Sequence, residues 1–341
     1  MNPAMTPRAI SSKRSTAPLT NFFSLTPDQV LLAVEELGYR CTGLCYPLNS
    51  LENRVYEIEL DDRRRIVSKF YRPGRWSRET IQDEHQLLAA LTELEIPVCA
   101  PLTDLHGATL HQSPSGILYA LFPRIGGRIP DELTAEQLEQ LGRLIARVHN
   151  VCASLKLKNR LPLTADTYGR QALAMIINSG RLPPEQVQRF SDAVEMLLTI
   201  ADERFRNLET FVIHADLHRG NLLYGRNGWT ILDFDDAAVG PPVQDFWLLL
   251  PARHTECKSD VEALLAGYQQ FRQFPRSTLR LIEVLRGLRY LRYAAWIAQR
   301  WDDPSFPRAF PDWGTDRYWQ QLIIDLYDQV RLLRSDFIDE T

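Results

Sequence analysis

The sequence predicts an α+β fold of two lobes, a small β-rich one followed by a larger, mainly helical one. Three features carry that expectation. Short β-rich runs occupy residues 54–71 and 117–123 around one helical stretch, helical periodicity dominates beyond residue 126, and the glycine pair Gly126-Gly127 marks the change. A chain of 341 residues also suits two packed units better than one core. The boundaries read as a flexible arm over 1–24, a first lobe over 25–125 and a second over 126–341.

The arm, "MNPAMTPRAISSKRSTAPLTNFFS", is basic and rich in Ser, Thr and Pro, and it lacks the apolar centre of a secretory signal. Thr26 can cap a helix that begins at Pro27 and stops before Gly38. Val55, Ile58 and Leu60 lead into an Asp61-Asp62 turn and a second run from Ile66 to Tyr71, which together read as a hairpin. Ser77 caps a helix whose apolar face is Ile81, Leu87, Leu88 and Leu91, and a short buried strand follows that ends at Pro123. The stretches starting at Thr134, Pro184, Asp260 and Arg280 all show helical spacing.

With 39 Lys and Arg against 43 Asp and Glu, the net charge of −4 gives no global field for nucleic acid or anionic membrane. No apolar run reaches the length of a membrane span. Cys41, Cys45, Cys99, Cys152 and Cys257 are scattered, with no C-x2-C pair for structural zinc. These features predict a cytoplasmic protein with no nucleic-acid or membrane partner. A monomer is the expected state, although nothing in the sequence fixes it.

One stretch concentrates acceptors. "VIHADLHRGNLLYGRNGWTILDFDD", residues 212–236, places an apolar lead-in before a polar loop, then a hairpin that ends in carboxylates. Such an order suits phosphoryl transfer. A hard Mg²⁺ ion takes few protein oxygens, commonly a carboxylate and an amide, and a separate carboxylate must accept the proton of the attacking hydroxyl. Asn221 and Asp233 fit the metal roles and Asp216 fits the base. An Asp-x4-Asn pair alone more often builds a turn, but the full H-x-D-x4-N string followed by L-D-F-D is far more specific. A transition-metal hydrolase using His214 and His218 is the rival reading, disfavoured because no second His- or Asp-rich cluster completes it.

The segments "HADLHRGN" and "ILDFDDAAVGPPVQDFWLLL" resemble the aminoglycoside phosphotransferase-like branch of the protein-kinase fold. "PLNSLENRVYEIE", "IVSKFYRPGRW", "DEHQLL", "FPRIGGR" and "WDDPSFPRAFP" narrow the resemblance to its bacterial stress-response serine/threonine kinases, from residue 25 onward. The resemblance implies a bilobal kinase with ATP and Mg²⁺ between the lobes, Asp216 as base, and Asn221 and Asp233 as metal ligands, Asp233 counting also among the catalytic residues. It also implies that Lys69 reaches the phosphates and that Glu84 pairs with it. Ser50, in the glycine-free loop "LNSLENR", would lie at the nucleotide, Ala120 and Phe122 would present backbone groups to adenine, and Asp245 would brace the catalytic loop.

Three departures from the protein-kinase pattern bear on regulation. Ala215 stands where an arginine would read a phosphorylated activation loop, Asp235 replaces the glycine of D-F-G, and eleven residues separate Asp233 from Asp245. Activity without prior phosphorylation follows as an expectation. The acceptor is expected to be a protein Ser or Thr, at first the enzyme's own arm at Ser11, Ser12, Ser15 or Thr16, and Arg286, Arg289 and Trp313 are candidates to contact it. The alternatives are a small-molecule kinase acting on an aminoglycoside, choline or a homoserine-like alcohol, and a nucleotide-binding pseudokinase.

Overall fold

The computed structural model describes residue 20 and residues 22–339, with side chains to residue 335. Residues 1–19 and 21, with Ser11, Ser12, Ser15 and Thr16, lie outside the described residues. The end of the arm drawn to residue 24 is not free chain, because Phe22 is fully buried in the core of the first unit with Phe23 packed against it. Backbone contacts divide the chain into one unit up to residue 76 with residues 102–122, and a second made of 77–101 and 123–341.

The first unit opens with helix α1, Pro27–Glu35, which Thr26 caps as expected, accepting from the Gln29 N–H while the Gln29 side chain accepts from the Thr26 N–H. An antiparallel sheet follows: β1 (Cys41–Pro47), β2 (Arg54–Leu60), β3 (Arg65–Phe70), β4 (His111–Gln112) and β5 (Leu118–Pro123), in the order β1-β2-β3-β5-β4. The hairpin β2-β3 pairs Ile58 with Ile66 and Val55 with Lys69, so the Asp61-Asp62 turn is where the sequence places it. Val30, Val34, Ile58, Phe70, Ile117 and Tyr119 form the core, and the Tyr119 hydroxyl donates to the Ala33 carbonyl at 2.6 Å.

The second unit begins with helix α2, Arg78–Glu93, capped by Ser77. The first lobe drawn in the sequence reaches residue 125, yet α2 and the segment to Pro101 group with the helical unit. Several bonds tie them there. The Asn159 N–H donates to Asp83 Oδ2 at 2.8 Å, Arg160 Nη2 donates to the Thr80 carbonyl at 2.9 Å, and the chain from Pro97 to Cys99 bonds both ways with Ile231.

Helices α3 (Ala135–Ser154), α4 (Gln171–Asn178) and α5 (Pro184–Arg204) come next. Then follow strands β6 (Phe211–Ile213), β7 (Leu222–Gly225), β8 (Gly228–Ile231) and β9 (Ala238–Gly240), and a short helix α6 (Gln244–Trp247). Helices α7 (Lys258–Tyr268), α8 (Ile282–Gln299), α9 (Ser305–Ala309) and α10 (Asp316–Asp339) complete the unit. Helices α3 and α7 approach so closely that a Cβ on Gly142 would stand 2.1 Å from the Leu264 carbonyl oxygen. A close approach also accounts for Gly127, where a Cβ would stand 2.9 Å from Leu223 Cβ while Arg128 and Tyr224 exchange backbone bonds. No helix among the described residues is long and apolar enough to cross a membrane.

Candidate active site

Strand β6 pairs with β9 and delivers the chain into the loop at His214, Ala215 and Asp216. Ala215 sits at φ 68°, a left-handed conformation that costs a non-glycine residue about 1 kcal/mol and must be held by its surroundings. Asp245, only 1 % exposed on α6, does the holding: its Oδ1 accepts from the Ala215 N–H at 2.7 Å and its Oδ2 from the His214 N–H at 2.8 Å. His149 on α3 reaches the same carboxylate with Nε2 at 3.1 Å, and its Nδ1 lies 3.0 Å from the Tyr268 hydroxyl. Gln244 Nε2 donates to the Ala215 carbonyl at 2.7 Å. Ala215 is therefore bonded on both sides of its peptide and buried.

His214 joins this loop to the carboxylate strand. Its Nδ1 accepts from the Asp216 N–H at 3.3 Å, which leaves the proton on Nε2 to donate to the Leu232 carbonyl at 2.8 Å. Both ring nitrogens are thereby used inside the protein, and His218 Nδ1 accepts from the Gly220 N–H at 3.0 Å. The reading of a histidine-bound transition metal loses its ligands. Asn221 is opposite Leu232 at the open end of the β7-β8 hairpin, where the Leu232 N–H donates to the Asn221 carbonyl at 2.9 Å. That pairing closes the sequence gap between Asn221 and Asp233.

Asn221 Nδ2 donates to the Asp216 carbonyl at 2.9 Å, which turns its Oδ1 away as an oxygen ligand. Asp233 is exposed at φ 56°, and one carboxylate oxygen each of Glu84, Asp233 and Asp235 lie within 4.8 Å of one another. Hard oxygen donors of this kind fit Mg²⁺ or Ca²⁺ and poorly suit softer metals. These oxygen donors suit the ion that the sequence implies, and they bring Glu84 and Asp235 to the expected Asp233. Arg160 fixes the turn after Asp233 by donating from Nη1 to the Asp235 carbonyl at 2.8 Å.

On the other side of Asp216, Arg289 Nη1 donates to Oδ1 at 2.7 Å and His218 Nε2 lies 3.5 Å from Oδ2. Burial pushes the Asp216 carboxyl up, but the His218 hydrogen bond and the Arg289 guanidinium outweigh it and hold the group below the ordinary carboxylate range. Asp216 is an ionised acceptor with 28 % of its side chain exposed, so a hydroxyl can reach it. The other two acceptor candidates are not displayed. Trp313 is buried against Trp301 and Trp319, and Arg286 lies over the Trp247 ring with its Nε 3.3 Å from Glu283.

The first unit holds the remaining expected residues. Lys69 is buried on β3 with its Nζ 5.1 Å from the centre of the Tyr71 ring, so it is not an outward-facing strand lysine. Ser50 Oγ accepts from the Asn53 N–H at 3.3 Å and shapes the β1-β2 loop. Asn53 Oδ1 in turn accepts from the Arg72 N–H at 3.2 Å, and the Arg72 side chain donates to the Leu51 and Glu52 carbonyls. Ala120 and Phe122 are buried on β5, next to β3 in the sheet.

Sequence reasoning missed His149, Arg160 and the Arg289–Asp216 pair. A lone histidine on the buried face of α3 was the available signal for the first, and Arg160 and Arg289 find their partners only through the fold.

Comparison with known proteins defines the class. A model described as "Phosphotransferase enzyme family" matches residues 46–288, and the chain belongs to that family, as a phosphotransferase with an alcohol group as acceptor. Among curated proteins it is 35% identical over 317 residues to stress response kinase A of Escherichia coli K12, covering 92% of this chain and 95% of that protein. It is 36% identical over 317 residues, with the same coverage, to the serine/threonine protein kinase RdoA of Salmonella typhimurium LT2. Among solved structures, an amicoumacin kinase in complex with AMP-PNP, Ca²⁺ and its ligand superposes with a TM-score of 0.71 at 19% identity, covering 89% of this chain and 92% of that one. A microcompartment-associated aminopropanol kinase gives 0.65 at 20% identity, covering 91% and 98%. The expected kinase-like α+β fold is confirmed by these superpositions.

Proposed function

We propose that the chain is an ATP- and Mg²⁺-dependent serine/threonine protein kinase of a bacterial stress response. The observation that carries phosphoryl transfer is the Asp216 carboxylate, ionised, reachable and fixed on a strained loop that Asp245 and His149 clamp from behind. Asp216 accepts the proton of the acceptor hydroxyl as that oxygen bonds to the γ-phosphorus and the bond to the β-phosphate oxygen breaks. Asn221 and Asp233 would hold Mg²⁺, which supplies neutralisation of the phosphate charge. Lys69 and Ser50 are assigned to the phosphates, Ala120 and Phe122 to adenine and Glu84 to support of the nucleotide site, on the strength of the family resemblance. A protein acceptor and the stress role rest on the names of relatives about one third identical over nearly the whole chain.

A small-molecule acceptor is the second reading, favoured by the superposition on kinases named for amicoumacin and aminopropanol. Incubation with labelled Mg·ATP separates the two. The first reading expects phosphate on a supplied protein or on Ser11, Ser12, Ser15 or Thr16 of the chain's own arm, seen by mass spectrometry without an upstream kinase. Efficient transfer to an aminoglycoside or amino alcohol, with no phosphoprotein formed, would replace it with the second. Asp233→Ala should weaken metal-dependent ATP binding together with turnover; unchanged Mg·ATP affinity would remove Asp233 from the metal site.

A further inference from the structure

Helix α8 carries Arg286, Arg289 and Arg292 three residues apart, and their guanidinium groups are engaged to very different extents. Arg286 is spent on Glu283 and the Trp247 face. Arg292 pairs with Asp236 at 3.3 Å and lies 4.2 Å over the Tyr168 ring. Arg289 gives only Nη1 to Asp216, at 2.7 Å, keeps 39 % of its side chain exposed, and makes no further hydrogen bond or ion pair among the described residues. A guanidinium is a planar fork with several N–H donors, suited to carboxylate and phosphate. Most of that fork is left over beside the proton acceptor.

This position has a consequence for the acceptor, given Asp216 as the base. Whatever hydroxyl approaches Asp216 brings its neighbouring groups to Arg289. An anion there gains a charge-assisted hydrogen bond, whereas an ammonium meets a like charge. A cationic acceptor would also need carboxylates to greet it, and Asp216 and Asp236 both already face arginines. We infer that Arg289 determines acceptor specificity by reading an anionic group next to the phosphorylated hydroxyl, so that acidic acceptors are preferred to cationic ones. The inference rests on the placement of Asp216 as base and extends to small molecules as well as proteins.

Steady-state kinetics with Mg·ATP on two matched pairs test it: serine peptides flanked by Glu or by Lys, and a small hydroxy acid against an amino alcohol. The anionic member should lead in kcat/KM by about tenfold or more, carried mainly by KM, since one charge-assisted contact is worth about that factor. Arg289→Gln should bring the ratio close to one by raising KM for the anionic member and lowering it for the cationic one. Arg289→Lys, which keeps the charge and loses the fork, should retain part of the preference. An equal or reversed preference in the unaltered enzyme, or an Arg289→Gln loss of the same factor for both members, would overturn the inference. Preference for the hydroxy acid with neither peptide phosphorylated would uphold it while defeating the protein-acceptor reading. Peptide phosphorylation blind to charge would do the reverse.

Discussion

Two loops carry residues assigned to phosphoryl chemistry, and a buried charge of opposite sign organises each. In the loop from His214 to Asn221 the charge is the Asp245 carboxylate, which gathers two backbone N–H groups and an imidazole. In the loop from Ser50 to Asn53 it is the Arg72 guanidinium, 5.0 Å over the Phe22 ring, which gathers the Leu51 and Glu52 carbonyls and pairs with the Glu52 side chain at 3.3 Å. A carboxylate that consumes N–H groups suits a loop whose task is to display another carboxylate, Asp216. A guanidinium that consumes carbonyls suits a loop assigned to anionic phosphates, and it replaces the conformational freedom of a glycine-rich turn with fixed bonds. The loop from Ser50 to Asn53 contains no glycine, whereas the loop from His214 to Asn221 uses Gly220, where a Cβ would stand 2.7 Å from His218 Cε1. In both, side chains from outside the loop set much of the backbone.

The comparison predicts unequal costs of removing the organiser. Asp245→Ala leaves two N–H groups and His149 without their partner in a fully enclosed position and frees Ala215 from its strained conformation. Denaturant unfolding should show a loss of about 3–5 kcal/mol, and turnover should collapse with it. A loss below about 1 kcal/mol would mean that the carboxylate is not what holds the loop.

Glu283 provides a buried charge of a third kind, held by side chains instead of backbone, with Arg253, Arg286 and Gln329 all gathered on its Oε2. Burial pushes its carboxyl up, but His254 at 3.8 Å, the hydrogen bond from Gln329 and the charges of Arg286 and Arg253 bring it down to about 2 from an ordinary value of 4.5. A depressed value means that the ionised form stabilises the fold above pH 4.5 and that this contribution fades as pH falls toward about 2. Its full size is about 3 kcal/mol at roughly 1.4 kcal/mol per unit. Glu283→Gln should therefore flatten acid unfolding in that window; an unchanged acid profile would show that the network does not hold the charge.

Arg72→Ala should be the mildest. The carbonyls it serves belong to half-buried residues that water can reach, so the expected stability loss is about 1–2 kcal/mol. The specific signature is a several-fold rise in KM for ATP as the loop loses its shape, with acceptor KM unchanged. Equal rises in both would place the effect outside the nucleotide loop.

Legibility in the sequence followed the range of the interactions. The caps at Thr26 and Ser77, the β2-β3 hairpin and the 212–236 motif depend on neighbours in the chain and could be read directly. Strand β1 could not: Gly43 at φ 92° sits in a register shift between Cys41 and Cys45, and the strand lies at a sheet edge with few buried side chains to give alternation. Two-residue β4 leaves no periodicity at all. Helix α10 does carry a readable spacing, Trp319, Leu322, Ile323, Leu326, Val330 and Leu333, and the aromatic residues before it drew a substrate role to Trp313 that burial removes. Within the site, the residue types of Asp216, Asn221 and Asp233 were evident, whereas the Arg289 contact spans 73 positions and exists only because α8 passes the loop.

The central claim is that Asp216 takes the acceptor's proton, and the most direct measurement is single-turnover phosphoryl transfer by Asp216→Asn alongside its Mg·ATP affinity. The substitution keeps the side chain's shape and removes the proton acceptor, so transfer should slow by roughly 10²–10⁴ while nucleotide affinity stays near that of the unaltered chain. Near-normal transfer by the folded variant would contradict the assignment of the base and the account built on it.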